Sequence, residues 1–178
     1  MEPADSSGSR EGLRSRSFHV ISRSDARILV LGTLPGERSL ACGEYYAHPQ
    51  NRFWMIVGEV LGFDPLGPYE TRVKQLFDHR IALWDVCAAA ERPGSLDASI
   101  RSASVMPNDF SAFFAGHPGI VRVCFNGQHA AKLFQRLVRE TLPTDVRSEW
   151  VTLPSTSPAN ASVSLEEKRR AWSQALLS

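Results

Sequence analysis

The amino-acid sequence predicts an α/β fold, a single domain built on a mostly parallel sheet. Three observations carry that expectation. Short apolar runs, "ARILVLG", "RIALWDVC", "GIVRVCFNG" and "WVTLP", have the length and content of buried strands. Between them lie stretches whose apolar residues recur at helical spacing, and clusters of Gly, Pro, Ser and Asn punctuate the joins. Strands alternating with helices at this density imply parallel pairing, and in such folds the loops beyond the carboxyl ends of the strands make the site.

The elements follow in order. Residues 1–17, "MEPADSSGSREGLRSRS", are polar and rich in Ser, Gly and Arg, which predicts a disordered lead-in to a folded domain over 18–178. The first strand ends at Gly32 and Thr33, where Pro35 and Gly36 break it into a loop that lasts until Pro49. In "NRFWMIVGEVLG", Phe53, Trp54, Val57, Val60 and Leu61 share one helical face, with Asn51 placed as the cap or first residue. A turn through "GFDPLGPY" leads to a second amphipathic helix around Glu70 to Phe77, and "RIALWDVC" returns as a strand. "AAERPGSLDASI" reads as a loop and short turn, and "NDF" at 108–110 as a helix start before Phe113 and Phe114. The strand "GIVRVCFNG" closes on Asn126 and Gly127, the helix "QHAAKLFQRLV" follows, and "WVTLP" delivers the loop "STSPANA" before a last helix from about Leu165 to Leu176. Four loops, 32–50, 85–97, 126–128 and 154–160, then share a rim.

Composition narrows the function classes. No apolar run approaches the roughly 20 residues needed to span a bilayer. Twenty basic against 19 acidic residues give a formal charge of +1, so a nucleic-acid partner has to be argued from local geometry. Cys42, Cys87 and Cys124 are too far apart in sequence for a zinc or iron–sulfur quartet and fit a reducing, cytoplasmic setting. No metal and no other cofactor is expected: "GTLPGERS" lacks the Lys-Ser/Thr pair of a phosphate loop and the spacing of a dinucleotide fingerprint.

Several rim residues carry polar or aromatic chemistry. Tyr45 and Tyr46 lie where no amphipathic helix explains them, and either cover a planar ligand or form a lid on Phe53 and Trp54. Asn126 offers a donor and an acceptor, which suits the edge of a base and equally an Asn-Gly turn. "LPSTSPAN" can approach a phosphate backbone through hydroxyls and N–H groups, or cap the final helix. His48 and His117 have no carboxylate or cysteine companion at a ligand interval and read as structural.

Taken together, "LGTLPGERSL", "EYYAHPQNRFW", "IALWDVC", "GSLD", "NDF", "FNGQHA" and "LPSTSPAN" resemble the uracil-DNA glycosylase superfamily, and within it the DNA-deoxyinosine (hypoxanthine) glycosylase branch. The resemblance spans Leu31 to Asn160. It implies a three-layer α/β/α domain that flips a damaged base from duplex DNA and hydrolyses its N-glycosidic bond. Where the mismatch-specific branch has the asparagine of an "N-P-G" in this loop, Leu34 stands before Pro35; the resembled branch uses instead the asparagine of "AHPxN", here Asn51, as the catalytic residue. By the same resemblance Tyr46 stacks on the flipped base, Asn126 reads its edge, and Gly32 and Thr33 complete the base-binding set. Ser155, Thr156 and Ser157 press on the DNA strand, with Arg38 and Arg52 as phosphate contacts. The expected partner is damaged duplex DNA, with no membrane, and the expected form a monomer. No lysine lies in the rim loops, so the expected enzyme is monofunctional. A uracil- or mismatch-specific glycosylase and a catalytically inactive damage-binding protein are the alternatives.

Overall fold

A computed structural model describes residues 14–178. The elements run β1 (Arg14–Arg16), β2 (Ile28–Gly32), α1 (Glu37–Cys42), α2 (Phe53–Leu61), α3 (Tyr69–Asp78), β3 (Ile81–Asp85), β4 (Cys87–Glu91), β5 (Met106–Pro107), α4 (Phe110–Gly116), β6 (Arg122–Asn126), α5 (Gln128–Leu137), β7 (Glu149–Leu153) and α6 (Leu165–Leu177). Short 3₁₀ turns occupy Asp97–Ser99, Ser102–Ser104 and Arg139–Thr141. The central sheet has four strands in the order β3-β2-β6-β7, every neighbouring pair parallel.

Period-2 alternation sends successive side chains of these strands into two different cores. Leu29, Leu31, Ala82, Val123 and Phe125 face Phe110, Phe113, Leu133 and Phe134 of α4 and α5. Ile28, Val30, Ile81, Leu83 and Cys124 face Phe53, Ile56, Val57, Leu76 and Trp172 of α2, α3 and α6. The sheet is therefore buried on both sides, the reason its strands read as continuous apolar runs. Local chemistry fixes the helix starts: Asp109 accepts from the Ala112 N–H at the head of α4, and Ser164 with Glu167 forms a reciprocal capping box on α6.

Three parts of the chain depart from the sequence expectation. The polar lead-in expected to reach residue 17 ends sooner, because Arg14–Arg16 is a strand pairing antiparallel with β4; the rest of that expectation, over 1–13, lies outside the described residues. The stretch after Cys87, expected as a loop, begins with that β4 strand, which pairs β1 on one side and β5 on the other in a small second sheet. Its alanines carry no alternation, and its partners are remote in sequence. The first rim loop also contains α1, a helix of 6 residues too short to show a period.

Trp172 ties the α6 layer together. Its ring is fully buried, edge-on to Phe53 at 5.7 Å, and its Nε1–H donates to the Pro154 carbonyl at 3.1 Å. Trp172→Ala is expected to destabilise the protein by about 3–5 kcal/mol in urea unfolding, and Trp172→Phe by a markedly smaller amount. A loss below about 1 kcal/mol for the alanine variant would mean that α6 is peripheral to the core.

Candidate active site

Parallel pairing brings four strand ends to one edge. Gly32 lies opposite Asp85, Leu31 opposite Phe125, and Asn126 opposite Leu153. The chain leaves β2 for β3 on one side and later adds β6 on the other, so the loops diverge above β2 and β6, the crevice where α/β sheets bind ligands. A cavity of about 750 Å³ opens there. Its walls come from the first loop, the end of β3, residues 95–98, the end of β6 and residues 155–160.

Of the residues expected at the site, Gly32, Thr33, Arg38, Tyr46, Asn51, Asn126, Ser155, Thr156 and Ser157 all line this one cavity. Tyr46 adopts a left-handed backbone (φ 57°) and stacks one ring face on Phe53, centroids 4.1 Å apart and 27° between planes. Its hydroxyl is buried and has no hydrogen-bond partner among the described residues. Asn51 Oδ1 accepts from the Phe53 N–H at 2.9 Å, which orients the amide at the start of α2 and leaves the Nδ2 hydrogens and a second Oδ1 lone pair. Both halves of the Asn126 amide meet Thr156: Nδ2 donates to Oγ1, and Oδ1 accepts from the Thr156 N–H, each at 2.9 Å. One Nδ2 hydrogen and one Oδ1 lone pair remain for a ligand.

Two expected DNA contacts are placed differently. Thr156 is completely buried, with its hydroxyl and N–H engaged by Asn126, so it fixes the reading amide and cannot reach a phosphate; Ser155 and Ser157 are partly exposed. Arg52 is exposed beside the cavity and does not line it, and its backbone N–H donates to the Thr156 carbonyl at 3.0 Å, joining the first loop to the last. His117 stacks on Phe113 and meets Ser22 and the Phe113 carbonyl, a structural role. His48 stands at the cavity wall, its Nδ1 accepting from the Gln50 N–H at 3.2 Å.

Four charged or hydroxyl groups that sequence reasoning missed hold this arrangement. Asp85, 3% exposed, lies at the cavity floor and accepts from the Ser17 hydroxyl at 2.8 Å. Burial raises its pKa to about 7, with Asp97 adding in the same direction against the Ser17 hydrogen bond. Arg92 is buried, donating to the carbonyls of Leu34 (3.1 Å), Pro35 and Gly94 (3.1 Å), which locks the first rim loop to the second. Lys168 donates to the Asn160 carbonyl at 2.7 Å and so pins the last loop from behind; burial, then repulsion from Arg52, lowers its pKa. Ser17 arrives through β1, whose pairing no local pattern announces. The legible signal for Asp85 and Arg92 was "WD" at a strand end and "ERPGSLD" after it, an Asp and an Arg next to apolar runs that bury them; Lys168, in "LEEKRR", looks like any charge on a solvated helix.

A floor carboxyl that burial pushes toward its neutral form, an aromatic ring and two oriented amides suit a planar, uncharged heterocycle and one water. Among the described residues there is no group of three or more His, Cys, Asp or Glu that could hold a metal, and no helix is long and apolar enough to cross a membrane. Lys132 lies on α5 in a separate groove with Phe125 and Trp150, away from the cavity.

Comparison with known proteins supplies the remaining constraint. The family model described as the uracil DNA glycosylase superfamily matches residues 18–177. A hypoxanthine DNA glycosylase of Methanosarcina acetivorans is 36% identical over 146 residues, covering 82% of this chain and 87% of that protein. A second, from Methanosarcina barkeri, is 31% identical over 164 residues, covering 92% and 98%. A solution NMR structure of a Methanosarcina acetivorans protein assigned as a uracil DNA glycosylase aligns with a TM-score of 0.77 at 34% identity, over 92% of this chain and 96% of that one.

The raised Asp85 pKa has a thermodynamic signature. Between about pH 4 and about pH 7 the folded protein holds a proton that the unfolded chain releases, so this group's contribution to stability falls as pH rises through that window. Asp85→Asn removes the titration. The stability of the variant minus that of the wild type is therefore expected to grow from pH 4 to pH 8, by up to about 4 kcal/mol in urea unfolding. A difference that stays constant with pH would mean that Asp85 ionises as an ordinary carboxylate.

Proposed function

Because this chain belongs to the uracil DNA glycosylase superfamily, we propose that it is a monofunctional DNA glycosylase that releases hypoxanthine from deoxyinosine in duplex DNA, opening base excision repair. The observation that carries the reading is the convergence of Tyr46, Asn51 and Asn126 on one cavity of about 750 Å³, large enough for a purine, in a chain whose similar relatives are hypoxanthine DNA glycosylases.

Each residue then has a task set by its geometry. The base leaves the helical stack, which costs a few kcal/mol and least where pairing is already weak. The free face of Tyr46 takes the extruded ring, with Phe53 behind it as a backstop. Asn126, held by Thr156, presents its remaining donor and acceptor to the base edge. Asn51, oriented by the Phe53 N–H, places the attacking water. Bond breaking passes through a cation-like sugar and a base gaining negative charge, so a fixed dipole that costs no reorganisation lowers the barrier. The Leu34 side chain, buried and apolar, takes no part in holding water. Of the two lysines near the sheet, Lys168 is bonded to the Asn160 carbonyl and Lys132 faces another groove, which supports hydrolysis without a Schiff base. Ser155, Ser157, Arg38 and Arg52 stand around the mouth as the phosphate-facing groups, and the working form is taken to be a monomer acting on cytoplasmic DNA.

Single-turnover release from matched duplexes carrying one deoxyinosine, one deoxyuridine or no lesion tests the reading. Hypoxanthine release exceeding uracil release is the expected result, and the reverse order would make this a uracil-preferring enzyme. Asn51→Ala is expected to slow cleavage by at least ~10²-fold while leaving lesion-DNA binding largely intact, as when an interaction made in the transition state is lost. A near-wild-type rate would move the water to another group, His48 first. Tyr46→Ala is expected to weaken productive binding by about 10-fold or more, with Tyr46→Phe close to wild type, since stacking resides in the ring face. Equal damage from both would assign the hydroxyl a role of its own.

A further inference from the structure

The cavity floor holds a carboxyl that the mechanism above does not use. Asp85 closes β3 directly opposite Gly32, and the missing side chain at Gly32 leaves room for two oxygens: a Cβ at position 32 would stand 2.6 Å from Asp85 Oδ1 and 2.9 Å from the Tyr46 hydroxyl oxygen. Those two oxygens thus border the same small volume at the bottom of the cavity. The other carboxyl oxygen, Oδ2, is occupied by Ser17, and among the described residues the buried Tyr46 hydroxyl has no partner. Oδ1 therefore faces the cavity with its hydrogen-bonding capacity open to a ligand.

Among the described residues no cation forms an ion pair with the carboxyl. Arg92, the charged group that attracts it, spends its guanidinium on the carbonyls of Leu34, Pro35 and Gly94. Among the described residues, the remaining groups facing it are Asp97 from the 3₁₀ turn, which repels its charged form, Cys87 from β4, and Tyr45 and Tyr46 from the first loop, whose burial keeps them neutral. A carboxyl in such surroundings holds its proton up to about pH 7, and in that form it is a hydrogen-bond donor.

We propose that Asp85 is a second catalytic residue: its neutral carboxyl hydrogen-bonds to a ring nitrogen of the extruded purine and gives that nitrogen its proton as the glycosidic bond breaks. The proposal rests on the reading of the protein as a hypoxanthine glycosylase. In the step, the electron pair of the C1′–N9 bond leaves with the base, and the oxygen of the water held by Asn51 bonds to C1′. The Asp85 proton ends on the base, and the proton shed by the water returns to the carboxylate through solvent. Deoxyinosine and water become hypoxanthine and an abasic site, with no other reactant. A purine anion is a poor leaving group, so a proton delivered during departure lowers the barrier, whereas Asn51 acts on the opposite partner of the reaction. Ser17 and Gly32 position the acid, the first by holding Oδ2 and the second by leaving Oδ1 uncovered.

Single-turnover rates from about pH 5.5 to about pH 8.5, on deoxyinosine and deoxyuridine duplexes, with wild type and Asp85→Asn, test the proposal. Since Asp85 titrates at about 7, wild-type hypoxanthine release is expected to fall about tenfold per pH unit in the upper part of that range. Asp85→Asn should fold, bind the duplex as wild type does, run about 10²-fold slower near pH 6 and lose the pH dependence. Uracil has no free ring nitrogen like those of a purine to receive this proton, and its release should suffer less from the substitution. Carbon-13 NMR of the Asp85 carboxyl should show the same midpoint as the rate. A wild-type rate that rises with pH would make Asp85 a base or a bystander, and an Asp85→Asn profile that tracks the wild type would remove it from the chemistry; either overturns the proposal. Wild-type release of uracil without hypoxanthine would overturn the substrate reading instead, the uracil profile then deciding Asp85, and release of neither base would overturn both.

Discussion

In-register parallel pairing of β2 with β3 and β6 is the constraint from which the site follows. Parallel strands deliver their carboxyl ends to one edge, and here the register sets Gly32 beside Asp85 and aligns Asn126 one step beyond Phe125. The chain continues from each end into a different loop, so groups more than 90 positions apart in sequence, such as Gly32 and Asn126, border one cavity. A one-residue slip of β6 would turn Asn126 toward the opposite face of the sheet. The alternation of Val123 and Phe125 toward one core and Cys124 toward the other opposes that slip with buried apolar area on both sides.

The loops above the sheet are held by groups that give up their own solvation. Arg92 binds carbonyls of two loops, Lys168 one carbonyl of a third, and Thr156 both ends of an amide. Buried hydrogen bonds of this kind contribute modestly when complete and cost heavily when one partner is lost. Their common effect is preorganisation: Asn126 and the first loop are fixed before a base arrives, so binding does not have to order them. Asp85 is the exception, a buried acid with one hydroxyl partner, destabilising above about pH 4 by the linkage between folding and protonation. Groups kept against stability at the floor of a cleft are where function is sought.

Much of this was legible in the sequence, and what was not has physical reasons. The four parallel strands and five of the helices show themselves by apolar runs and helical period, signals that depend on neighbours in sequence. Tyr46 and Asn126 stood out as an aromatic ring and an amide in loops, each with a structural account of equal weight, and Asn51 read as a helix cap; it was the family resemblance that gave the three their roles. Hidden were β1 and β4, whose three register pairs join residues 14–16 to 89–91 across the length of the first half of the chain. With them went Ser17, polar in a polar segment and indistinguishable from a solvated tail. Thr156 stands between Ser155 and Ser157 in a polar run where nothing local marks it as the residue that turns inward to the Asn126 amide; Gly127, at φ 100°, lets that loop approach closely, since a Cβ there would stand 2.9 Å from the Ser155 side chain. Arg92 looks like a surface charge until the loop closes over it.

The central claim is that a single cavity receives the extruded base between Tyr46, Asn51 and Asn126. Its most direct test is an NMR titration of the protein, with its asparagine side-chain amides labelled with nitrogen-15, against a duplex carrying a non-cleavable 2′-fluoro deoxyinosine. The expected result is saturable shifts of the Asn51 and Asn126 Nδ2 resonances that the same duplex with adenine in place of hypoxanthine does not produce. Shifts confined to the groove of Lys132 and Trp150, with both amides unmoved, would contradict the claim.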